Sequence, residues 1–404
     1  MAMRKHMKDK IVLLVALAGF LKTADASADT ETIWQPRISV MGGYDDNVLI
    51  TGAGGDGFGQ IAPGLKLDVY GEHQLRVGFD CQVGLARLAT PGEFGFSSNR
   101  LFADENCHLD TRVNLDERDK FNLRVDGTYA QDPFALANLG LLLRPGQTNI
   151  FVGRLTVEDT HALSGHTGLN YGIDGTVLTF GADDPGNNYV LAPRARYEWK
   201  TSQRTKWDDG VREQLFFGIG TAANPNGDKA GLLGEGHALL LGYSYNLTEW
   251  ADVTVRGGPA LITADGTAQR AGTAVMPTLR AELNGYTPAF DIRLTLGHDL
   301  VIGPSGGGAL VGDIADVGAT HRWDKLALHL RVGAYRNASV YDQWVPGSSG
   351  YGGEAGFDWA LTRELKFGIS AARDARLYDQ NVPPGSVDRD VVQVRLTYEK
   401  ARFN

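Results

Sequence analysis

The sequence predicts an all-β protein, a transmembrane antiparallel up-and-down β-barrel of about 18 strands. Three observations lead to this fold class. Apolar residues alternate with polar or small ones along most of the chain, the first residues form an export signal, and 52 of the 404 residues are glycine. That is roughly 13% glycine, against the usual ~7%, and it suits tight turns and crowded barrel walls. After the export signal, no apolar run is long enough to cross a membrane as a helix.

The first element is a secretory signal peptide over residues 1–28. A basic start (Arg4 to Lys10) precedes the apolar run Ile11 to Leu21 and the small-residue cleavage site Ala26 to Ala28. The apolar run is too short for a spanning helix, which needs about 20 residues. The mature barrel is therefore expected to comprise residues 29–404. It would be more acidic than the full chain, whose net charge is −9, and this acidity disfavours nucleic-acid partners.

The strands follow from a two-residue period, which places alternate side chains on opposite faces of a sheet. In one segment Val77, Phe79 and Cys81 alternate with Gly78 and Asp80. Counting such runs gives about 18 strands, with 16 as the fallback if one hairpin is miscounted. The predicted strands are 36–46, 58–70, 73–87, 99–113, 120–130, 148–160, 166–180, 188–200, 209–221, 236–246, 250–263, 273–284, 288–300, 309–321, 325–338, 350–361, 364–377 and 388–402.

An even number of strands places both termini on one side of the membrane, the periplasmic side in bacterial outer-membrane barrels. The protein is accordingly expected in the bacterial outer membrane. Tryptophan prefers the membrane–water interface, and the sequence clusters it at the predicted periplasmic strand ends. The residues in question are Trp34, Trp199, Trp207, Trp250, Trp323 and Trp359.

The polar face of the predicted strands carries charges of both signs. Charged groups on an inward face need water or each other, because a dry, unpaired charge is costly. They either line a hydrated channel or fill the barrel as cross-strand ion pairs, and a barrel of about 18 strands is too wide to fill with side chains. The predicted lumen-lining residues are Lys66, Asp68, Arg76, Asp80, His108, Arg112, Arg124, Asp126, Arg256, Asp291, Arg293, His329, Arg331, Lys366 and Arg395.

The longest predicted outer connection, residues 131–147, is unusually apolar, and its large side chains should not all face water. It either enters the lumen as a constriction loop or caps the rim. Its candidate constriction residues are Phe134, Leu136, Leu139, Leu142 and Arg144.

Acidic and amide residues also gather at the predicted outer mouth, after the first and seventeenth strands. Such a cluster could hold Ca²⁺ or bind sugar hydroxyls, although Asp and Asn in loops are more often turn formers. Its members are Tyr44, Asp45, Asp46, Asn47, Tyr378, Asp379 and Asn381.

The chain has two cysteines, Cys81 and Cys107, and neither belongs to a metal-ligand motif. Both lie on the apolar face of neighbouring predicted strands. Residues paired across an antiparallel hairpin have a constant index sum, and these two centre on the loop Pro91 to Ser97. The sequence therefore predicts a disulfide in an oxidising compartment, with two free thiols facing lipid as the alternative.

No motif indicates an enzyme, a metal site or a cofactor. The G-x-S-x-G, H-E-x-x-H and Walker patterns are absent from the sequence. His298-Asp299 is the single local candidate for a catalytic pair, so a barrel-embedded hydrolase is only a weak alternative.

Several segments resemble outer-membrane β-barrel porin families. The first is the opening WQPRISVMGGYDDNVL (residues 34–49), and the others are TxxLSGHTGL (160–169) and YNLTEWADVTVRGG (245–258). Within that group the chain is similar to the barrels of exopolysaccharide and capsule export systems. One departure is the ending Phe403-Asn404, since many such barrels end on the aromatic residue read by the barrel-assembly machinery.

This resemblance implies a conduit that secretes a polysaccharide together with a periplasmic polysaccharide-export protein. A general or solute-specific diffusion porin is the alternative. The expected partners are outer-membrane lipids and the barrel-assembly machinery.

Overall fold

The computed structural model describes most of the chain beyond residue 30. The described residues are 31–47, 54–71, 74–90, 102–130, 150–179, 188–219, 230–264, 272–302, 309–339, 348–378 and 386–403.

The described residues form eighteen long antiparallel strands and one short terminal strand, all in a single closed sheet. Each strand pairs with its neighbours in the chain, as in an up-and-down barrel. The strands are β1 Glu31–Asp45, β2 Asp56–Tyr70, β3 Arg76–Leu88, β4 Phe102–Asn114, β5 Asp119–Ala130, β6 Ile150–Ala162, β7 Thr167–Thr179, β8 Asn188–Lys200, β9 Thr205–Ile219, β10 Ala230–Asn246, β11 Ala251–Ala264, β12 Gly272–Tyr286, β13 Phe290–Ile302, β14 Ala309–Trp323, β15 Leu326–Ser339, β16 Ser348–Ala360, β17 Leu365–Tyr378, β18 Ser386–Glu399 and β19 Arg402–Phe403.

The barrel closes between its first and last long strands. The β1–β18 ladder runs from the pair Arg37–Glu399 to the pair Asp45–Val391, and β19 extends it by pairing Phe403 with Ile33. Closure satisfies the backbone of both strands and removes the sheet edges that a membrane would not tolerate.

Both ends of the described chain lie at one end of the barrel, called here the proximal end; the opposite end is the distal end. The connections at the proximal end are short. In the turn between β4 and β5, the backbone N–H groups of Arg118 and Asp119 donate to the Asp116 carboxylate over 2.6 and 2.8 Å. These two hydrogen bonds favour the ionised form and lower the pKa of Asp116 below its ordinary value.

The outward face of the barrel is an apolar band. On β1 it extends from Trp34 to Tyr44, and side chains within it such as Val40 are more than half exposed. The ten residue-to-residue steps of this stretch span about 34 Å along a strand, or about 26 Å along the axis at a tilt near 40°. That height matches the hydrocarbon band of ~25 Å in outer-membrane barrels.

Aromatic side chains border this band at the proximal end. All six tryptophans that the sequence places at one level lie there. On β8 to β10, Trp199 stacks on Trp207 with ring centroids 6.4 Å apart, and Trp207 contacts Tyr243 at 4.6 Å. A level of indole rings on the outer face is the expected girdle at a membrane interface.

The predicted strand order and number are confirmed. Strand ends differ by a few residues, and the largest differences are earlier starts of β1, β9 and β10. Pro36 obscured the start of β1 in the sequence, but it lies within the strand on the outward face, opposite Leu65. In the described part of the chain, no helix is long and apolar enough to cross a membrane.

Candidate functional site

Much of the inward face of the barrel is polar, and the predicted lumen-lining residues lie on this face. The strand registers place these residues on the face opposite the apolar band. Side chains two strands apart meet across this face: Arg37 of β1 reaches Asp80 of β3 at 2.6 Å, and Arg395 of β18 reaches Asp358 of β16 at 2.9 Å.

Many of the predicted lumen charges are paired. Asp126 of β5 contacts both His108 at 2.6 Å and Arg124 at 2.9 Å. Further contacts join Asp68 to Lys66 and Arg76, Arg112 to Asp110, Arg331 to Asp316, Lys366 to Glu399 and His329 to Glu354. The sequence left two interpretations open, charges that line a channel and charges that pair across strands. Both apply, because the inward face is charged and many of its charges form ion pairs with neighbours.

One wall carries arginines that the sequence prediction missed. Arg194 and Arg196 of β8 face the lumen, and Arg194 contacts Glu158 at 2.8 Å and Asp174 at 2.9 Å. Arg256 of β11, which belonged to the predicted set, pairs with the buried Asp208 at 2.9 Å. The alternation Arg-Ala-Arg in β8 was the signal that could have found the first two.

The distal half of the same wall is apolar on its inward face. A buried cluster there comprises Val190 of β8, Ala238 of β10, Ala260 and Ile262 of β11, and Met276 of β12. We call these five residues the apolar seat. An inward apolar patch is unexpected in a charged lumen, so something must cover it.

The ladder between β12 and β13 stops early. It runs from the pair Tyr286–Asp291 to the pair Leu279–His298 and goes no further. Beyond it, β12 stays paired with β11 as far as Gly272, and β13 stays paired with β14 as far as Ile302. The distal part of the β13–β14 hairpin has therefore left the wall.

This separated part, residues 299–302 of β13 with residues 309–312 of β14, is called here the arm. Leu300 of the arm is 5% exposed and packs with the apolar seat, as does Val311. Asp299 accepts two hydrogen bonds from the Arg212 guanidinium of β9, one of them over 2.7 Å. The arm thus covers the inward face of β8 to β12.

Distances around the wall show that the arm lies inside the barrel. β9 and β13 are four strand intervals apart, and at about 4.8 Å per interval this is roughly 19 Å along the sheet. An arginine cannot bridge such a span to reach Asp299 if both strands stay in the wall. The Arg212–Asp299 contact therefore requires the arm to fold into the lumen.

The wall is shaped to receive the arm. A Cβ added at Gly236 of β10 would lie 2.5 Å from Cδ1 of Leu300, so the end of the Leu300 side chain would have to shift. Pro277 of β12, on the stretch that β13 leaves, has no N–H to donate to a neighbouring strand.

The arm leaves the wall just beyond an outward charged pair. His298 and Asp313, the last outward pair before the arm, contact each other at 2.6 Å.

A cavity of about 330 Å³ lies in the lumen against the wall formed by β1–β5 and β16–β18. Amide and charged side chains line it, among them Gln60, Gln82, Asp104, Gln393 and Arg395. Apolar side chains such as Phe58 and Val391 complete its lining.

The predicted outer-mouth cluster lies at the barrel closure. Asp45 is fully buried and pairs with the buried Arg389 at 2.7 Å, and it also accepts the N–H of Asn47 over 2.8 Å. Asp46 accepts the N–H of Asp390 over 2.6 Å. These carboxylates fasten β1 to β18, and the Asp45 carboxylate also shapes the following turn. The Tyr378 side chain, Asp379 and Asn381 lie outside the described residues.

The predicted constriction loop, with Phe134, Leu136, Leu139, Leu142 and Arg144, also lies outside the described residues.

The two cysteines face each other on adjacent strands. The β3–β4 register pairs Cys81 with Cys107, as the index sum predicts, and the structure bonds their sulfur atoms. Their neighbours Phe79 and Leu109 form the next pair on the same outward face. The bond therefore lies on the apolar side of the barrel.

The candidate catalytic pair His298-Asp299 does not form one site in the structure. His298 contacts Asp313 on the outward face, whereas Asp299 contacts Arg212 in the lumen, so the adjacent pair does not form one site. Within the described residues, no group of three or more His, Cys, Asp or Glu side chains could hold a metal ion.

Comparisons with known proteins reveal similarity at the level of structure. No protein-family model and no curated protein matches the chain. Among solved structures, it is similar to the outer membrane protein opdK from Pseudomonas aeruginosa, with 13% identity, a TM-score of 0.43, and 93% of this chain and 99% of that chain covered. A BenF-like porin from Pseudomonas fluorescens Pf-5 gives 10% identity, a TM-score of 0.46, and coverage of 93% and 99%.

The siderophore receptor PirA from Pseudomonas aeruginosa gives 9% identity, a TM-score of 0.39, and coverage of 91% of this chain and 80% of that chain. These similarities give no support to the resemblance to polysaccharide-export barrels.

Proposed function

We propose that the protein is an outer-membrane diffusion pore for small water-soluble solutes. The outward apolar band matches a bilayer in height, and the inward face is charged and polar. A barrel of eighteen strands is too wide for its side chains to fill. A membrane-spanning wall around a polar interior is the arrangement that lets solutes cross.

The position of the arm is the observation that favours small solutes over a secreted polymer. An arm held in the lumen by Leu300 and by the Arg212–Asp299 pair narrows the path. Small solutes can pass beside it along the polar wall, whereas a secreted polymer needs an unobstructed bore. The arm therefore favours a porin over the polysaccharide conduit. The proposal needs outer-membrane lipids and the barrel-assembly machinery, but no periplasmic export partner.

Purified barrel in planar lipid bilayers tests this function. We expect discrete conductance steps that persist when a candidate exopolysaccharide is added to either chamber. Long blockades by the polymer, with polymer transfer to the opposite chamber, would instead favour the conduit. Absence of any conductance from correctly folded barrel would remove the pore function altogether.

The proposal also fixes an orientation, with the proximal end in the periplasm. Single cysteines placed at Gly54, near the distal end, and at Glu117, in a proximal turn, report on it. A membrane-impermeant maleimide added to intact cells should label the first position and spare the second. Labelling of Glu117→Cys from outside would invert the barrel.

A further inference from the structure

The arm and the wall it has left are built for two positions. If the β12–β13 register continued past Leu279–His298, Thr278 would pair with Asp299 and Pro277 with Leu300. The side-chain alternation of β13 also continues, so in that register Leu300 would face outward like Leu296. The arm thus has a second place, zipped into the wall beside β12.

The docked position is stabilised by side chains. Leu300 and Val311 cover the apolar seat, and Arg212 holds Asp299 through two hydrogen bonds. The five residues of the seat lie on four strands, and Gly236 leaves room for Leu300. In this position the arm removes the apolar seat from contact with the lumen.

The zipped position is stabilised by the backbone. It would form ladder hydrogen bonds along the edge of β12 that is unpaired over residues 272–278. Pro277 removes one of the donors from that ladder and so weakens it. A few net hydrogen bonds are similar in free energy to two buried apolar contacts with an ion pair, so neither position dominates by a wide margin.

We infer that the arm is a gate that alternates between a docked position, which narrows the lumen, and a position zipped to β12, which widens it. Two packings of one element that differ little in free energy form a switch. The inference rests on the proposed pore function, because the gate acts by changing the width of the path.

Engineered disulfides can hold the gate in either position, in a Cys81→Ser, Cys107→Ser background. Gly236→Cys with Leu300→Cys should bond in the docked position. Pro277→Cys with Leu300→Cys should bond in the zipped position, and Thr278→Cys with Asp299→Cys is a second zipped pair in case the first does not fold. The corresponding single-cysteine variants and the cysteine-free background are the controls, and heat-modifiability on gels checks folding.

If the arm alternates between the two positions, oxidation of the folded barrel should form the docked disulfide in one variant and the zipped disulfide in the other. The docked bond should lower the mean conductance, the zipped bond should raise it severalfold, and a reductant should restore the background value in both. A docked bond that forms fully while neither zipped pair ever bonds would show a fixed arm and overturn the gate. So would zipped bonds without a docked bond, or two bonds with equal conductance.

The bond yields are read on gels and do not depend on conduction. Failure of the pore function and failure of the gate are therefore separate results. Barrel that conducts no ions but forms both bonds keeps the moving arm and loses the pore. Barrel that conducts but bonds in one position only keeps the pore and loses the gate.

Discussion

Shortening one side chain of the arm should change how often the pore is wide. Leu300 is 5% exposed against the apolar seat. Replacing a buried leucine by alanine costs ~2 to 5 kcal/mol, and the lower figure applies here because a hairpin end can relax into the space. Since about 1.4 kcal/mol is tenfold, Leu300→Ala should reduce the ratio of docked to undocked arms roughly 25-fold. A ratio of about 5 would fall to about 0.2, leaving most of the arms undocked.

Single-channel recording in planar bilayers measures this ratio from the dwell times at low and high conductance. Leu296→Ala is the matched control, because Leu296 lies on the same strand but faces outward and is 44% exposed. The control should keep the dwell times of the wild type. Unchanged dwell times in Leu300→Ala, in barrel that folds normally, would refute the role of the buried contact.

Three further outcomes test other parts of the structure. Protein purified without reductant should show a Cys81–Cys107 bond by mass spectrometry after alkylation, and two freely alkylated thiols would contradict the pairing. Arg389→Met should lower the heat resistance of the folded barrel in detergent, since it leaves Asp45 buried without its cation, at a cost of about 3–5 kcal/mol; the double variant with Asp45→Asn should recover much of the loss. In Asp116→Asn, the stability deficit at pH 7 should disappear as the pH falls through the lowered pKa of Asp116, because a carboxyl of depressed pKa stabilises the fold only while ionised. A deficit that persists in acid would show that the carboxylate charge is not its source.

The sequence period predicted the barrel wall because most of its length follows the same alternation. Alternation identified each strand and its inward face, and the constant index sum was enough to place Cys81 opposite Cys107. These features are local to one strand or one hairpin. Strand ends were less predictable, since a proline such as Pro36 breaks the pattern without ending the strand.

The arm could not be predicted in this way because it depends on strands far apart in the chain. Its contacts join β13 and β14 to β8, β9, β10, β11 and β12, and no local pattern records that. A weak signal was present, however. Around Ala238 and Leu240, and again around Ala260 and Ile262, apolar residues run on both faces of the strand, which is typical of strands covered on two sides.

The ion pairs of the lumen could not be predicted from the sequence either. Alternation shows that Asp80 and Arg395 face inward, but it does not show which charge each one meets. Their partners, Arg37 and Asp358, lie two strands away, and the barrel curvature brings them together.

The most direct test of a pore for small solutes is liposome swelling with a graded series of solutes. Liposomes that contain the folded barrel are diluted into monosaccharides, short oligosaccharides and a high-mass polysaccharide. We expect rapid entry of the smallest solutes, a steep fall in rate with size, and no entry of the polymer, because the docked arm narrows the lumen. Polymer entry at a rate close to that of the small sugars, or exclusion of every solute, would contradict the proposal.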